Sequence, residues 1–253
     1  MDVLLVGAGA MGRWLGAALS ETDSTVGISV LDTDPDSARE TAEALDGEAV
    51  TPDAAPTADL VCIAVPIPAA EEVIETYAPH ADAAMLDVTG TMTDPVEAMA
   101  EHAPDCERLS LHPLFAPENE PGNIPAVVDA GGPITDDVLG ALRARDNEVF
   151  ETTAERHDEA METVQARTHA AVLAFGLAAE EVSERFQTPI SSELTALTEQ
   201  VTGGESRVYA DIQSAFGGAD DVADAAGRLA DADTAEFERL YDAARLETPE
   251  ESD

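Results

Sequence analysis

The sequence predicts an α/β protein, with a doubly wound parallel sheet in its first half and an all-α domain in its second. Short apolar runs alternate with helical patterns as far as residue 152. A glycine-rich turn follows the first of these runs. Beyond residue 153 no strand pattern recurs, and apolar residues appear at helical spacing. Together these three observations indicate a sheet domain followed by a helical one.

Seven apolar runs rich in β-forming residues predict the strands of the first half. Continuous runs of this kind, separated by helices, are typical of βαβ units with a buried parallel sheet and right-handed crossovers. The predicted strands are 3–7, 26–32, 59–66, 83–88, 108–113, 126–130 and 148–152. The predicted helices between them are 11–20, 35–45, 69–77, 95–102 and 135–145.

The second half predicts helices alone. Residues 154–186 predict one long helix, because apolar residues from Val164 to Val182 recur every three or four positions. Four shorter helices are predicted to follow, at 191–202, 206–215, 220–230 and 234–245. A small domain does not easily cover so long an apolar stripe, so we expect a homodimer formed through it. Packing of these helices on their own sheet domain is the alternative.

These patterns predict three segments with different roles. A dinucleotide-binding domain is expected at 1–152, for the reasons given below. A helical substrate and dimerisation domain is expected at 153–246, and an acidic tail at 247–253.

The chain is strongly acidic along its whole length. Its 253 residues carry 53 Asp and Glu against 12 basic residues, all of them Arg, for a formal charge of −41. Such repulsion destabilises a compact state in dilute buffer, whereas molar salt shortens the Debye length to about 3 Å. We therefore expect a halophilic protein that works in a salt-rich cytoplasm.

Several classes of protein are disfavoured by composition. The negative charge opposes binding to nucleic acid or to an anionic membrane, and no apolar run is long enough to span a bilayer. The first residues enter a predicted strand directly, so we expect no signal peptide. Cys62 and Cys106 form neither a CxxC pair nor a metal-binding spacing, which indicates a reducing compartment and no metal site.

A G-x-G-x-x-G motif joins the first predicted strand to the first predicted helix. Gly7 permits the tight turn, Gly9 allows a pyrophosphate to approach, and Gly12 allows helix and strand to pack closely. The backbone N–H groups of Ala10 and Met11, at the helix N-terminus, are then expected to face the phosphates. The motif in this context predicts a Rossmann-type nucleotide site.

An acidic residue at the end of the second strand supports this prediction. Asp32 follows Gly12 by twenty residues, where a carboxylate accepts hydrogen bonds from the adenosine ribose. A 2′-phosphate would meet Asp32, Asp34 and Asp36, with Arg39 the nearest cation in sequence. We therefore expect NAD rather than NADP.

Three further predicted strands end in residues suited to a site at the same sheet edge. Val65 and Pro66 are expected near the cofactor, and Thr89 and Thr91 at the next strand tip. His112 leaves a buried strand into a loop, where a histidine is suited to general acid–base catalysis.

Five segments resemble the prephenate dehydrogenase family, in a haloarchaeal-type version. They are DVTGTMTDP, HPLFAPE (112–118), AERHDEAM (154–161), VQARTHAAVLAFG (164–176) and RVYADI (207–212). The resemblance implies oxidative decarboxylation of prephenate to 4-hydroxyphenylpyruvate in tyrosine biosynthesis, without a metal. It implies that His112 takes the proton of the ring hydroxyl while hydride passes to NAD.

The resemblance also implies roles for other residues. Glu118 matches an acidic position that some members place near the site mouth. His169 matches the family's histidine on the long helix, and a hydrogen-bonded interface histidine is the alternative. His157 and Asp158 match a pair at a helix start, which we interpret as structural, since Asp favours a helix N-terminus.

The sequence departs from the family pattern at four positions. Gly90 and Met92 replace a Ser-x-Lys, so the hydroxyl would come from a neighbouring threonine, and Thr168 and Gln200 replace two arginines.

A dianionic substrate needs cationic partners, preferably guanidinium groups. Arg167 and Arg207 are the remaining candidates, one of them from across the dimer. Because arginines are few, arogenate is an alternative substrate.

Two other functions are compatible with the sequence. Another two-domain NAD(P)-dependent dehydrogenase or reductase usually places a Lys or a different acid on the long helix, and this chain contains no Lys. A non-catalytic, dinucleotide-sensing regulatory dimer would explain the departures from the family pattern.

Overall fold

The computed structural model describes residues 1–22 and 26–245. The chain divides into two compact units, Met1–Met161 and a second that begins at Glu162. The sequence predicted this boundary after residue 152. In the structure, the first helix beyond the sheet belongs to the sheet unit. The acidic tail predicted at 247–253 lies outside the described residues.

One eight-stranded sheet forms the framework of the first unit. Its strand order is β3-β2-β1-β4-β5-β6-β7-β8. The strands are β1 (Asp2–Val6), β2 (Gly27–Leu31), β3 (Glu48–Ala49), β4 (Ala58–Ile63), β5 (Ala81–Asp87), β6 (Glu107–Leu111), β7 (Asn123–Ala130) and β8 (Glu148–Glu151). The helices are α1 (Ala10–Thr22), α2 (Pro35–Ala44), α3 (Ala70–Tyr77), α4 (Thr93–His102), α5 (Pro133–Ala144) and α6 (Ala154–Met161). The predicted α/β class is confirmed.

Every neighbouring pair of strands is parallel except β6 and β7. The connection between these two, residues 112–122, contains only a three-residue 3₁₀ turn, Pro117–Asn119. A parallel return needs a crossover of about a dozen residues or more, usually through a helix. The short connection therefore brings β7 back antiparallel, and leaves the residues after β6 as a loop at the sheet edge.

Helices cover both faces of this sheet. Leu5 packs in a cluster with Trp14 of α1 on one face, and Leu4 packs with Ile74 of α3 and Met99 of α4 on the other. Successive side chains of a strand point to opposite faces, so a strand buried on both sides is apolar throughout. This explains why the central strands lack polar–apolar alternation.

The second unit is helical. It contains α7 (Thr168–Ala178), α8 (Pro189–Thr202), α9 (Ser206–Phe216), α10 (Gly218–Asp231) and α11 (Thr234–Ala243). Of the described helices, none combines the length and the apolar character that crossing a membrane requires.

The prediction of a single helix at 154–186 is wrong in two respects. The helical run contains a π-helical segment, Glu162–Arg167, and it ends at Ala178. Glu180 and Glu181 follow this end, where negative charge opposes the helix dipole. The periodicity of apolar residues alone does not predict this effect of charge on the helix end.

Candidate active site

Four neighbouring parallel strands, β1, β4, β5 and β6, end at one edge of the sheet. The strand order reverses between β1 and β4, so a crevice opens there beyond the carboxyl ends. Adjacent strands lie about 4.8 Å apart, so the residues after these strands occupy one continuous strip of the edge.

The glycine turn after β1 has space for a ligand at one position only. Gly7 has φ +108°, and a Cβ there would lie 2.1 Å from the Ala64 carbonyl oxygen. A Cβ at Gly12 would lie 2.1 Å from the Gly7 carbonyl oxygen. At Gly9 no protein atom lies within 4 Å of the Cβ position. Gly7 and Gly12 thus serve packing, whereas Gly9 leaves open the surface that a pyrophosphate would approach.

The turn is tied to the end of β2 through Asp32. The Asp32 carboxylate accepts hydrogen bonds from the Ala8 N–H (2.7 Å) and the Asp34 N–H (2.8 Å). Helix α1 begins at Ala10, so Ala10 and Met11 lie in its first turn with N–H groups that have no partner within the helix. The open glycine position, the helix N-terminus and the held carboxylate together fit a dinucleotide.

Sequence reasoning did not single out Arg13, a cation held beside this turn. Arg39 is paired with Asp36 at 2.8 Å. Arg13 instead donates to Thr41 Oγ1 at 3.1 Å, and that hydroxyl donates to the Ala8 carbonyl at 3.0 Å. Thr41 thus holds the Arg13 guanidinium close to the glycine turn.

The predicted residues after β4 lie beside the crevice. Val65 is half-buried and Pro66 is exposed, and both follow the strand that adjoins β1. They border the same opening as the glycine turn.

His112 begins the loop after β6 and belongs to a buried chain of hydrogen bonds. Its Nδ1 lies 2.8 Å from Nε2 of His157, whose Nδ1 lies 2.8 Å from Oδ1 of Asp158. The Asp158 carboxylate also accepts the N–H groups of Met92 and Thr93, each at 3.0 Å, where α4 begins. Helix α6 thus supplies two residues that hold His112 in place.

The partners in this chain determine which atoms carry protons. A carboxylate only accepts, so His157 donates through Nδ1 to Asp158, and in its neutral form accepts at Nε2. His112 therefore donates through Nδ1, which leaves an acceptor lone pair on its Nε2. This is the tautomer that a general base requires.

Burial governs the charges along the chain. It lowers the pKa of His112 to about 3, assisted by nearby His157 and opposed by Asp158. Burial acts to raise the pKa of Asp158, but hydrogen bonds from His157, Thr93 and Met92 outweigh it and the pKa is lowered. His112 is therefore neutral near pH 7, and Asp158 is ionised.

The tip of β5 holds the predicted threonines next to His112. Thr89 Oγ1 donates to Asp87 Oδ2 at 2.6 Å, and Thr91 is also buried. Asp87 is fully buried, and desolvation raises its pKa to about 6. A Cβ at Gly90 would lie 2.9 Å from Cδ1 of Ile67 and 4.0 Å from Nε2 of His112, so Gly90 lies close to both side chains. The Thr89 hydroxyl binds Asp87, and a side chain at position 90 would require Ile67 to move.

Two predicted substrate residues lie in different units. Glu118, in the 3₁₀ turn of the loop after β6, is exposed. His169 lies in the second unit, half-buried, with its ring edge-on to Tyr209 at a centroid distance of 4.8 Å. Burial lowers the pKa of His169.

The two predicted arginines differ in their availability. Arg167 donates to Asp221 at 2.8 Å and to Glu162 at 3.0 Å within the second unit. The Arg207 side chain is 70% exposed and lies 3.8 Å from Asp211. Arg207 is therefore the more accessible guanidinium for an anionic ligand.

Sequence comparisons identify the family. The model of the prephenate dehydrogenase nucleotide-binding domain matches residues 15–125. A 4-amino-4-deoxyprephenate dehydrogenase from Streptomyces pristinaespiralis is 33% identical over 243 residues, which cover 89% of this chain and 81% of that protein. The chain belongs to the prephenate dehydrogenase family. It is a dehydrogenase with a nucleotide-binding domain.

Solved structures of the prephenate dehydrogenase family share the fold. Prephenate dehydrogenase from A. aeolicus, solved with hydroxyphenyl propionate and NAD+, has a TM-score of 0.70 and 16% identity, covering 96% of each chain. Synechocystis arogenate dehydrogenase has a TM-score of 0.62 and 16% identity, covering 96% of this chain and 97% of that one.

The interpretation of His157 and Asp158 as structural missed the hydrogen bond between His157 and the His112 imidazole, which Asp158 supports through His157. His112 and His157 are 45 residues apart, and only the folding of α6 beside the β6 end brings them together. An adjacent His–Asp pair after the last strand is the one signal in the sequence that could have suggested it.

Proposed function

We propose that this protein catalyses the NAD-dependent oxidative decarboxylation of prephenate, with His112 as the general base. The observation that supports this is the hydrogen-bond chain from Asp158 through His157, which leaves the acceptor lone pair of His112 on Nε2. His112 lies at the sheet edge that also carries the glycine turn and Asp32. A base and a dinucleotide site on one edge are what an alcohol oxidation requires.

The chemistry assigns simple tasks to the chain's residues. His112 Nε2 accepts the proton of the ring hydroxyl, and the glycine turn and Asp32 hold NAD. When bound, NAD supplies the acceptor for the hydride that leaves the same ring carbon. Loss of the ring carboxylate as carbon dioxide then makes the ring aromatic, which drives the reaction. No metal takes part.

The substrate has three candidates, which differ in the ring substituent or in the side chain. Prephenate carries a hydroxyl there, and the relative that is 33% identical acts, by its name, on 4-amino-4-deoxyprephenate. Arogenate keeps the hydroxyl and replaces the side-chain keto group by an amine, which an acidic protein with few arginines would tolerate. Arg207, His169 and Glu118 are the proposed contacts for substrate groups, with Arg167 held by its own acidic partners.

The test is the formation of NADH or NADPH with each of these three substrates in molar KCl. We expect turnover with NAD and prephenate to exceed that with the other pairs. His112→Asn should lower kcat by at least about 10²-fold with dinucleotide affinity within twofold. His102→Asn, at the exposed end of α4, is the matched control and should keep full activity. Full activity of His112→Asn would contradict the assignment.

We also propose a homodimer formed through the helical unit, in a reducing, salt-rich cytoplasm. Large apolar side chains of this unit are exposed in the single chain, including Leu177 and Phe186. Contiguous exposed apolar surface is typical of an interface between proteins. Light scattering in molar KCl should give twice the 26.4 kDa chain mass, and a monomer would contradict the proposal.

A further inference from the structure

We propose that removal of the substrate proton is coupled to a second proton transfer, from His112 to His157. The positive charge then resides on His157, which is paired with Asp158, while His112 stays neutral. This inference rests on the proposed function, because it assumes that His112 Nε2 accepts the proton. It assigns His157 and Asp158 as positioning residues that act through His112.

Burial makes His112 a poor place for a positive charge. The residue is 8% exposed, and its Nδ1 is hydrogen-bonded to another imidazole, that of His157. Removing a charge from water costs several kcal/mol unless an opposite charge compensates for it. Burial accordingly holds the pKa of His112 at about 3, so protonation of the neutral ring at pH 7 is unfavourable.

His157, in contrast, contacts a carboxylate directly. Its side chain is 1% exposed, but its Nδ1 lies 2.8 Å from the Asp158 carboxylate. That carboxylate is held by two N–H groups at the start of α4, where the helix dipole also favours negative charge. An imidazolium at His157 therefore forms a buried ion pair with a fixed carboxylate.

The proposed step moves two protons. The substrate O–H bond breaks and a bond forms between that proton and His112 Nε2. In the same step the Nδ1–H bond of His112 breaks, and its proton bonds to Nε2 of His157. His157 is then a cation that donates through Nδ1 to Asp158, while His112 is neutral with its proton on Nε2.

The resting state returns after the product leaves. The Nε2 proton of His112 passes to water that enters the emptied pocket. His157 then returns its Nε2 proton to Nδ1 of His112. One proton is taken up from the substrate and one is released to water, so the enzyme is unchanged.

The groups that face His157 come from four elements. His112 approaches from the end of β6, Asp158 from α6 itself, and Asp87 from the end of β5, where His157 acts to lower its pKa. The start of α4 contributes its N–H groups through Asp158. Both carboxylates favour a cation at His157, and neutral His112 does not oppose it.

His157→Gln is the central variant. Its amide oxygen still accepts the Nδ1–H of His112, which preserves the tautomer, but an amide takes up no proton at neutral pH. We expect kcat to fall by about 10²-fold at pH 7, with KM and dinucleotide affinity within about twofold. Asp158→Asn should lower kcat in the same way and move the acid limb of the kcat–pH profile to lower pH, because the cation at His157 loses its counter-charge. His102→Gln is the matched control.

A proton inventory separates this role from simple support. In mixtures of H₂O and D₂O, single-turnover rates of the wild type should follow a curved, two-proton dependence, and those of His157→Gln a linear one. A linear wild-type inventory, or a His157→Gln variant with wild-type kcat and acid limb, would overturn the inference.

Imidazole ¹⁵N NMR on the wild-type protein tests the starting state without activity or substitution. The chain has five histidines, so the signals can be assigned. His112 should carry its proton on Nδ1 throughout the neutral range. A proton on Nε2 in the resting protein would overturn this inference and the choice of Nε2 as the proton acceptor, whereas a linear wild-type proton inventory would overturn this inference alone. Absence of turnover with all three substrates would instead overturn the proposed function.

Discussion

The three glycines of the G-x-G-x-x-G motif have different roles in this molecule. At Gly7 and Gly12 a side chain would collide with backbone, whereas at Gly9 it would occupy open space. The first two therefore serve folding and the third serves ligand approach. The same distinction applies to the polar residues of the site, where Thr89 stabilises a buried carboxylate and His112 presents a lone pair.

Gly9→Ala should weaken dinucleotide binding by at least tenfold without lowering Tm, because its methyl group meets no protein atom but occupies the surface of the pyrophosphate site. Gly140→Ala is the matched control, since its Cβ position is equally open but lies in α5. It should raise stability by up to about 1 kcal/mol and leave binding unchanged. Calorimetric titration and thermal melts distinguish the two, and equal binding by both variants would contradict the assignment.

Asp87→Asn should stabilise the protein at pH 8 and have little effect at pH 4. The folded pKa of Asp87 is raised from 3.8 to about 6, so the folded state binds the proton more tightly than the unfolded state. Stability is therefore lost as pH rises through this window, by an amount on the order of 1–3 kcal/mol. Asn avoids this loss. Denaturant unfolding in molar salt at both pH values checks it, and a pH-independent difference would count against it.

At the scale of elements, the loop 112–122 is held in place by a polar cluster. Arg145 donates to both carboxylate oxygens of Glu120, at 3.0 and 2.5 Å, and Asn147 donates to the same carboxylate at 2.7 Å. Asn147 also accepts the Gly122 N–H at 2.9 Å. The end of α5 thus anchors the loop that carries His112.

Arg145→Met should lower the free energy of unfolding by about 2 kcal/mol at pH 7, because it leaves the largely buried Glu120 carboxylate without its cation. Arg39→Met, which breaks the exposed pair with Asp36, should change it by less than about 0.5 kcal/mol. Arg145 lowers the pKa of Glu120 from 4.5 to about 2. This stabilisation is complete above the unfolded pKa and lost as pH falls towards 2, so the Arg145→Met deficit should shrink from pH 5 to pH 2. A constant deficit would contradict the account.

At the scale of the whole molecule, charge dominates. A formal charge of −41 on 253 residues is distributed over both units, and the salt bridges among the described residues involve ten of the 53 acidic residues. The remaining carboxylates repel one another unless salt screens them. The fold is therefore expected to depend on ionic strength.

Transfer from 2 M to 0.02 M KCl should abolish activity and reduce the helical signal in circular dichroism, because the Debye length grows from a few Å to about 20 Å. Return to high salt should restore both if unfolding is reversible. Uncharged sucrose at matched osmolality is the control for general solute exclusion and should rescue less. An unchanged spectrum in dilute buffer would contradict the halophilic interpretation.

Local patterns predicted the strands and helices of the sheet unit well, because each depends on nearby residues. The glycine turn and Asp32 were predictable for the same reason. The pattern failed for the helix at 154–186, which acidic residues end at Ala178. It also missed β3, whose two residues carry too short a pattern to recognise.

By itself, the amino-acid sequence determined the α/β class, the nucleotide motif, the family and the charge, since these follow from composition, periodicity and short motifs. Only the tertiary structure decided which groups meet. It paired His112 with His157, engaged Arg167 with Asp221, and placed Arg13 by the glycine turn. Hydrogen bonds and burial depend on distances in space between residues far apart in the chain, and no local pattern encodes those distances.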